Sequence, residues 1–325
     1  MSSQSQHQCW IVSAGVIGME NQCVGLAERL DVSFHVKRVR LRAPWKWLSP
    51  FLRLGLRFAF DSQSDNLVPP WPNLVIASGR AGAMACLYIK REAAKQGKKV
   101  FTVHIQNPVI DPSRFDLVAV PRHDGLLGAN VITTRGALHR VTKQRLTDEA
   151  ARFQDSYGAL PEPRLAVVIG GRNAVYDLLP QDMERMAAQL AELAHEIGGS
   201  LMVTTSRRTG AENLAILQKA LQGTSHKIWD GEGDNPYYAM LGLADAIFVT
   251  ADSVNMTSEA CTTGKPVYVL PLSGGSDKFR RFHQALRDDG MTRPFDGKLK
   301  RWFYTPLNDV ELVAQRVREM MGKNT

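Results

Sequence analysis

One grammar recurs along the chain: a run of four or five apolar residues, a loop that contains glycine, then a helical pattern. It occurs at residues 8–12, before Ser13-Ala14-Gly15, and at 74–77, before Ser78-Gly79-Arg80. It restarts at residues 165–169, before Gly170-Gly171-Arg172-Asn173. Apolar runs without alternation suit strands buried on both faces, the situation of a parallel sheet covered by helices on each side. Further runs at 34–39, 99–105, 115–120 and 130–134 complete a first set, and those at 201–205, 226–229, 246–250 and 266–270 a second. The expected fold class is α/β, with two Rossmann-like doubly wound domains facing across a cleft.

The length of 325 residues accommodates two such domains of roughly 150 residues each. Helical periodicity over residues 142–157 ends in the break Gly158-Ala159-Leu160-Pro161-Glu162-Pro163, which reads as the interdomain linker. The expected division is therefore residues 1–158, residues 164–306, and a C-terminal helix in 307–325 that packs back toward the first domain. A composition of 44% apolar and 22% charged residues excludes wholesale disorder. Cys9, Cys23, Cys86 and Cys261 are scattered, with no C-x-x-C pair, and read as reduced, buried thiols. Residues 1–9 are polar and carry no Lys or Arg, unlike a secretory signal, and no apolar run approaches the ~20 residues of a membrane span. The expected location is cytoplasmic, at most peripheral at the inner membrane.

Charge is unevenly placed. Between Arg29 and Arg57 stand eight basic residues against Asp31 alone, nearly all of the chain's net charge of +8. Trp45, Trp47, Phe51, Leu54, Phe58 and Phe60 are interleaved with them. Basic and aromatic residues together suggest that residues 29–60 meet an anionic membrane surface. The plainer reading is a helix that covers a core and exposes a solvated face. Nucleic acid is not the expected partner.

In open α/β sheets ligands bind beyond the carboxyl ends of the strands, so the loops there are where chemistry is sought. In the second half, Gly170 and Gly171 would let backbone N–H groups approach an anion, with Arg172 adding charge. Ser206, Arg207 and Arg208 place two guanidinium groups after a strand end, suited to a diphosphate. Asp252 and Ser253 open a helix whose N–H groups favour an anion. On that helix Glu259, beside Ser258, is positioned to accept both hydroxyls of a ribose. In the first half, the loop from Gly15 to Gly18 is not G-x-G-x-x-G, and Lys37 and Arg38 stand where an NAD site would carry an acid. Ser78, Gly79 and Arg80 would face an acceptor or a leaving phosphate. Glu20, His104 and Asp124 are the candidate general bases, unranked. Each motif has a bland counterpart: turn chemistry for the glycine loops, a satisfied core histidine for His104, a surface glutamate for Glu259. There is no D-x-D triplet, so a metal-free mechanism is expected, with no cofactor and the sugar nucleotide as substrate. Charge on the departing diphosphate would fall on Arg172, Arg207, Arg208 and helix N-termini.

The stretch from Thr250 to Tyr268, TADSVNMTSEACTTGKPVY, resembles the signature of the mitochondrial-fission "elongated mitochondria" family, which has plant and bacterial members. Gly15 to Gln22, Ser78-Gly79-Arg80, His104 to Pro108, Phe115-Asp116 to Asp124, Gly170-Gly171-Arg172 and Thr205 to Thr209 resemble its other blocks, so the likeness covers most of the chain. The resemblance implies a GT-B-like fold and a glycosyltransferase. The Ser258-Glu259 block is also similar, more distantly, to the donor site of the peptidoglycan N-acetylglucosaminyltransferase, where a helix glutamate binds the ribose of UDP. The reading is an inverting transferase that moves a sugar from a nucleotide donor to a lipid-linked or cell-envelope acceptor. Two alternatives stay open: a non-catalytic membrane-associated scaffold, and a sugar-nucleotide epimerase.

Overall fold

A computed structural model describes residues 8–322. The polar residues 1–7 and the last three, 323–325, lie outside the described residues. The chain divides into two compact units, residues 1–140 with 308–325, and residues 141–307.

The first unit starts with β1 (Cys9–Ser13), α1 (Ile17–Leu30) and β2 (Phe34–Arg38). A short helix α2 (Trp45–Leu48) precedes β3 (Leu74–Ser78), α3 (Gly79–Lys95), β4 (Phe101–Ile105), β5 (Leu117–Pro121) and β6 (Val131–Thr134). The six strands form one parallel sheet in the order β2-β1-β3-β4-β5-β6. Alternation along β1 shows how it is covered. Cys9 and Ile11 join the core beneath α1, while Trp10 and Val12 join the core beneath α3. A strand buried on both sides must be apolar at every position, which is why the run reads without a period of two.

The second unit begins earlier than the Gly-Pro break suggests. Helix α4 (Lys143–Arg152) and the turn Gln154–Gly158 belong to it, with Val141 and Tyr157 buried in its core. Residues 158–163 form the turn between this segment and β7 (Arg164–Ile169), held by Arg164, which donates to the Gly158 carbonyl at 2.6 Å and the Leu160 carbonyl at 3.0 Å. The expected boundary at 158–164 is thus corrected to the junction of Arg140 and Val141. Proline and glycine mark a break in local structure and carry no information about which domain the preceding helix packs on.

Then follow β8 (Tyr176–Asp177), α5 (Pro180–Ile197), β9 (Ser200–Thr205), α6 (Ala211–Ala220), β10 (Ser225–Trp229), α7 (Tyr237–Leu243) and β11 (Ala246–Thr250). The unit closes with α8 (Val254–Thr262), β12 (Val267–Leu270), β13 (Ser273–Gly274), α9 (Asp277–Asp288) and β14 (Thr292–Pro294). Its parallel sheet runs β10-β9-β7-β11-β12-β14, and β8 pairs antiparallel with β13. Helices α5 and α6 cover one face, and α7 and α8 the other. Strand order therefore reverses between β7 and β11, the switch point at which such sheets bind ligands. In the first unit the reversal lies between β1 and β3.

The final helix, α10 (Asp309–Gly322), packs on α1 in the first unit. Val310, Val313, Ala314 and Val317 are buried there, each valine worth roughly 1.5–3 kcal/mol of transfer free energy. Asp309 caps the return by accepting from the backbone N–H of Arg135 at 3.1 Å and of Gly136 at 2.8 Å. The four cysteines are free and buried, and no helix is long and apolar enough to cross a membrane among the described residues.

Helix α4 reaches α7 through Gly242, where an added Cβ would stand 2.6 Å from the Leu146 carbonyl oxygen. Gly242→Ala is expected to lower the stability of the second unit by about 1–3 kcal/mol, since neither backbone can yield. Urea unfolding followed by circular dichroism checks this; an unchanged midpoint would show that α4 does not hold its place on α7.

Candidate functional site

At the switch point of the second unit the ends of β7 and β11 are joined by one buried carboxylate. Asp252 accepts the Thr250 hydroxyl at 2.6 Å on one oxygen. Its other oxygen accepts the Gly171 N–H at 3.1 Å and the Arg208 guanidinium at 2.9 Å. The side chain of Asp252 has no exposure, whereas that of Arg208 is 43% exposed. The rest of the Arg208 fork lies on the Gly171 and Arg172 carbonyls at 3.4 and 3.3 Å. Gly170 donates its N–H to Thr250 Oγ1 at 2.8 Å, and its carbonyl accepts from Ser206 and Thr209 at 2.8 and 2.6 Å.

These bonds correct the expected phosphate cradle. The N–H groups of Gly170 and Gly171 are directed inward, to Thr250 and Asp252, and not to an external anion. Both positions are glycine because of close packing. A Cβ on Gly170 would come 2.2 Å from both Asp252 carboxylate oxygens, and one on Gly171 would come 2.2 Å from the Arg208 carbonyl. Arg208 neutralises Asp252 and is not a spare cation. Ser206 staples its own turn, accepting from the Arg208 N–H at 3.1 Å. Asp252 is a brace, not part of an anion-binding terminus.

What remains available is different. Arg207 is exposed and, among the described residues, has no ion-pair or hydrogen-bond partner. Arg172 has a 79% exposed side chain and only a 3.9 Å approach to Asp177. Ser253 is the N-cap of α8, accepting from the Met256 N–H at 3.2 Å. Ser258 is buried and donates to the Val254 carbonyl of its own helix at 2.7 Å, so its hydroxyl proton is turned away from a ligand.

Glu259 lies on α8 about 9 Å along the axis from Ser253, at 1.5 Å per residue. It is only 9% exposed, not the surface residue of the plain reading. Tyr237, the first residue of α7, donates its hydroxyl to Glu259 Oε2 at 2.5 Å. Among the described residues no donor reaches Oε1. Burial pushes the Glu259 carboxyl up from 4.5 to about 7, against the opposing effect of the Tyr237 hydrogen bond. Burial, with the adjacent carboxylate, holds the Tyr237 hydroxyl well above its usual 10. Sequence reading did not single out Tyr237, which lies 22 residues upstream of Glu259; its one signal was its place after Asn235-Pro236, at the start of a helix behind a strand-tip loop. The loops around it are fixed as well. Asn173 donates to the Asp252 carbonyl at 3.1 Å, and Asp182 accepts the Ser273 hydroxyl at 2.7 Å, tying in the loop after β12.

In the first unit two base candidates are committed elsewhere. The Glu20 carboxylate accepts from Arg38 through Nε at 3.0 Å and a terminal nitrogen at 2.8 Å, and from Ser13 at 2.9 Å. Arg38, at the end of β2, holds it below the usual carboxylate range, the wrong direction for a base working near neutrality. His104 has no exposure, and its ring nitrogens lie 3.0 Å from the Gln106 carbonyl and 3.3 Å from the Gly79 carbonyl. Burial lowers its pKa. It is the core histidine of the plain reading, its one N–H in the neutral ring donating to one of these carbonyls between the loops after β3 and β4. Asp124 sits in the turn Arg122–Asp124 after β5, its carboxylate 3.7 Å from His123 Nε2. Ser78, buried, donates weakly to the Met19 carbonyl at 3.4 Å, Gly15 donates to Ser13 Oγ at 3.1 Å, Gly18 lies within α1, and Arg80 is exposed at the start of α3. Among the described residues, no group of three His, Cys, Asp or Glu side chains is arranged to hold a metal.

The chain's fold is that of GT-B proteins. It resembles the UDP-GlcNAc 2-epimerase of Methanocaldococcus jannaschii with a TM-score of 0.54 at 12% identity, over 97% of this chain and 99% of that one. A UDP-GlcNAc 2-epimerase from Neisseria meningitidis, bound to UDP-GlcNAc, gives 0.51 at 12% identity over 98% and 100%. MurG of Acinetobacter baumannii gives 0.50 at 12% over 97% and 92%. Within that class the chain belongs to the mitochondrial fission ELM1 family, whose model matches residues 17–321. It is 36% identical over 283 residues to the mitochondrial fission protein ELM1 of Arabidopsis thaliana, covering 77% of this chain and 64% of the plant protein, so the match spans somewhat under two thirds of that relative. It is 26% identical over 359 residues to an uncharacterized protein of Rickettsia prowazekii, over 95% of this chain and 97% of that one.

The Glu259 site makes a stability prediction. Between pH 4.5 and about 7 the folded chain keeps a proton on Glu259 that the unfolded chain has released. The folded state binds more protons there, so this group's contribution to stability falls as pH rises through that window. Glu259→Gln is expected to match wild type near pH 4.5 and to exceed it by about 1–3 kcal/mol at pH 8. Parallel stability curves for the two proteins from urea titrations would show that Glu259 is not held in a low-dielectric site.

Proposed function

We propose that the second unit binds a sugar nucleotide through Glu259 and that the protein is a metal-independent, inverting glycosyltransferase. The observation that carries the reading is the buried Glu259 carboxylate, with Tyr237 on one oxygen and no donor from the described residues on the other. A buried acid in that state lowers stability unless something supplies donors, and the vicinal hydroxyls of a ribose are such donors. Glu259 lies a turn and a half beyond the N-cap of the helix that leaves the switch point, so a nucleoside held there would turn its phosphates toward the N-terminus of α8. Arg172 and Arg207, exposed at the same sheet edge, are the cations left to meet a diphosphate and to stabilise its departure. Arg208 acts through Asp252, by keeping the loops in place.

The acceptor is assigned to the first unit, where Asp124, its carboxylate 3.7 Å from His123 Nε2, is kept as a candidate base. A second reading has its own support. Two of the solved structures with this fold are UDP-GlcNAc 2-epimerases, one of them with UDP-GlcNAc bound. For an epimerase the nucleotide stays on the sugar and configuration changes at C2; for a transferase the nucleoside diphosphate is released. NMR of UDP-GlcNAc incubated with the protein separates the two.

Isothermal titration with UDP, GDP and CMP tests the shared step. One of them is expected to bind wild type, and Glu259→Gln and Tyr237→Phe to weaken that nucleotide by about 1–3 kcal/mol each. In wild type the affinity should rise with pH through about 7, because the ionised carboxylate is the better acceptor of two hydroxyls. A nucleotide bound equally by wild type and Glu259→Gln would remove Glu259 from the site.

A further inference from the structure

We propose that residues 42–58 of the first unit form a docking loop for an anionic lipid bilayer. Of the large apolar side chains exposed among the described residues, Trp47, Leu48, Phe51, Leu54 and Phe58 fall within twelve positions, with Trp47, Phe51 and Leu54 at 73, 69 and 79% exposure. Isolated exposed apolar residues are ordinary, but a concentration of this kind marks a surface that meets something. The loop is held rigidly while presenting them. Leu56 and Ala59 are buried against Met84 of α3, Trp45 donates its indole N–H to the Leu54 carbonyl at 2.9 Å, and Arg42 donates to the Phe58 carbonyl at 2.5 Å. Little conformational entropy is therefore left to lose on docking.

Charge selects the partner. Residues 42–58 contain Arg42, Lys46, Arg53 and Arg57 and no acid. None of the four makes an ion pair among the described residues, although Arg53 lies close enough to lower the Asp111 carboxyl. The other cations of the basic stretch are committed within the fold: Arg29 to Glu311, Arg38 to Glu20, Arg40 to Gln63, and Lys37 over the Trp10 ring. Docking charge is thus confined to the segment that also carries the exposed apolar side chains. Cations beside Trp, Phe and Leu match a layer of anionic headgroups over acyl chains. A nucleic-acid backbone would meet the cations but leave Leu48 and Leu54 in water, whereas acyl chains would bury them. A second copy would set this acid-free, four-cation segment against another like it, which like-charge repulsion opposes. The loop leaves the sheet at the carboxyl end of β2. Val16 and Ile17, after β1, and Val109, after β4, are exposed at that same edge.

The inference does not rest on the sugar-nucleotide reading. Flotation of the full chain with vesicles of phosphatidylglycerol and phosphatidylethanolamine, compared with pure phosphatidylcholine, tests it. Binding to the anionic vesicles is expected, weakened by salt. Phe51→Glu/Leu54→Glu and, separately, Lys46→Glu/Arg57→Glu should each reduce the bound fraction at least about tenfold, with melting temperatures unchanged because the replaced side chains are exposed or without partners. Phe303→Glu, at a 98% exposed phenylalanine of the second unit, should leave binding intact. Equal binding to both vesicle types, no binding to either, or undiminished binding by the two double variants would overturn the proposal. So would a dimer in light scattering that Phe51→Glu/Leu54→Glu dissolves, or retention of RNA that the same variant abolishes.

Discussion

The second unit depends on a carboxylate that meets no water. Asp252 holds the ends of β7 and β11 and the turn after β9 through Thr250, Gly171 and Arg208. A buried acid with only one of these partners would be costly; with a hydroxyl, an amide and half-exposed Arg208 it is satisfied at both oxygens. The geometry forces the neighbouring residues. Gly170 and Gly171 have no room for a side chain because the carboxylate and the Arg208 carbonyl occupy it. The same bonds use the inward N–H groups at the switch point, so an anion must be met by side chains and by the N-terminus of α8. A preformed edge of this kind lets a ligand bind without ordering the loops first.

Against that rigid edge, Glu259 is the unbalanced group. Asp252 has donors on both oxygens, whereas Glu259 has the Tyr237 hydroxyl on one and none from the described residues on the other. Two acids seven residues apart, on the same strand-helix connection, thereby divide the work: one is satisfied and structural, the other is raised toward neutrality and open to a ligand's donors. The first unit shows only the structural half of this. Glu20 has its donors in Ser13 and Arg38, and His104 lies between the Gln106 and Gly79 carbonyls, one of which accepts its N–H in the neutral ring.

The parallel strands were legible because burial on both faces leaves an unbroken apolar run, as in residues 165–169 and 246–250. The short strands were not. β8 and β13 have two residues each, and β14 ends in a proline, so none contains a pattern to see. The domain boundary was misplaced because Pro161 and Pro163 punctuate a turn, while the packing of α4 on α7 depends on a glycine a hundred residues away. At the site, glycine signalled a close approach but not what approaches: at 170 and 171 it is the protein's own carboxylate and carbonyl. Glu259 was legible as an acid on the right helix. Its burial and its partner Tyr237 were not, since both follow from how α7 lies on the sheet. Likewise the basic stretch was visible as a whole, but only the fold separates the cations paired inside the first unit from the four beside Trp47 and Phe51.

A crystal structure of the protein with the nucleotide selected by titration tests the central claim most directly. The account predicts ribose hydroxyls within hydrogen-bond distance of both Glu259 carboxylate oxygens, with Tyr237 retained on Oε2 and the Asp252–Arg208–Gly171 bonds unchanged. A nucleotide bound elsewhere, or one whose phosphates displace Asp252 from Arg208, would contradict it.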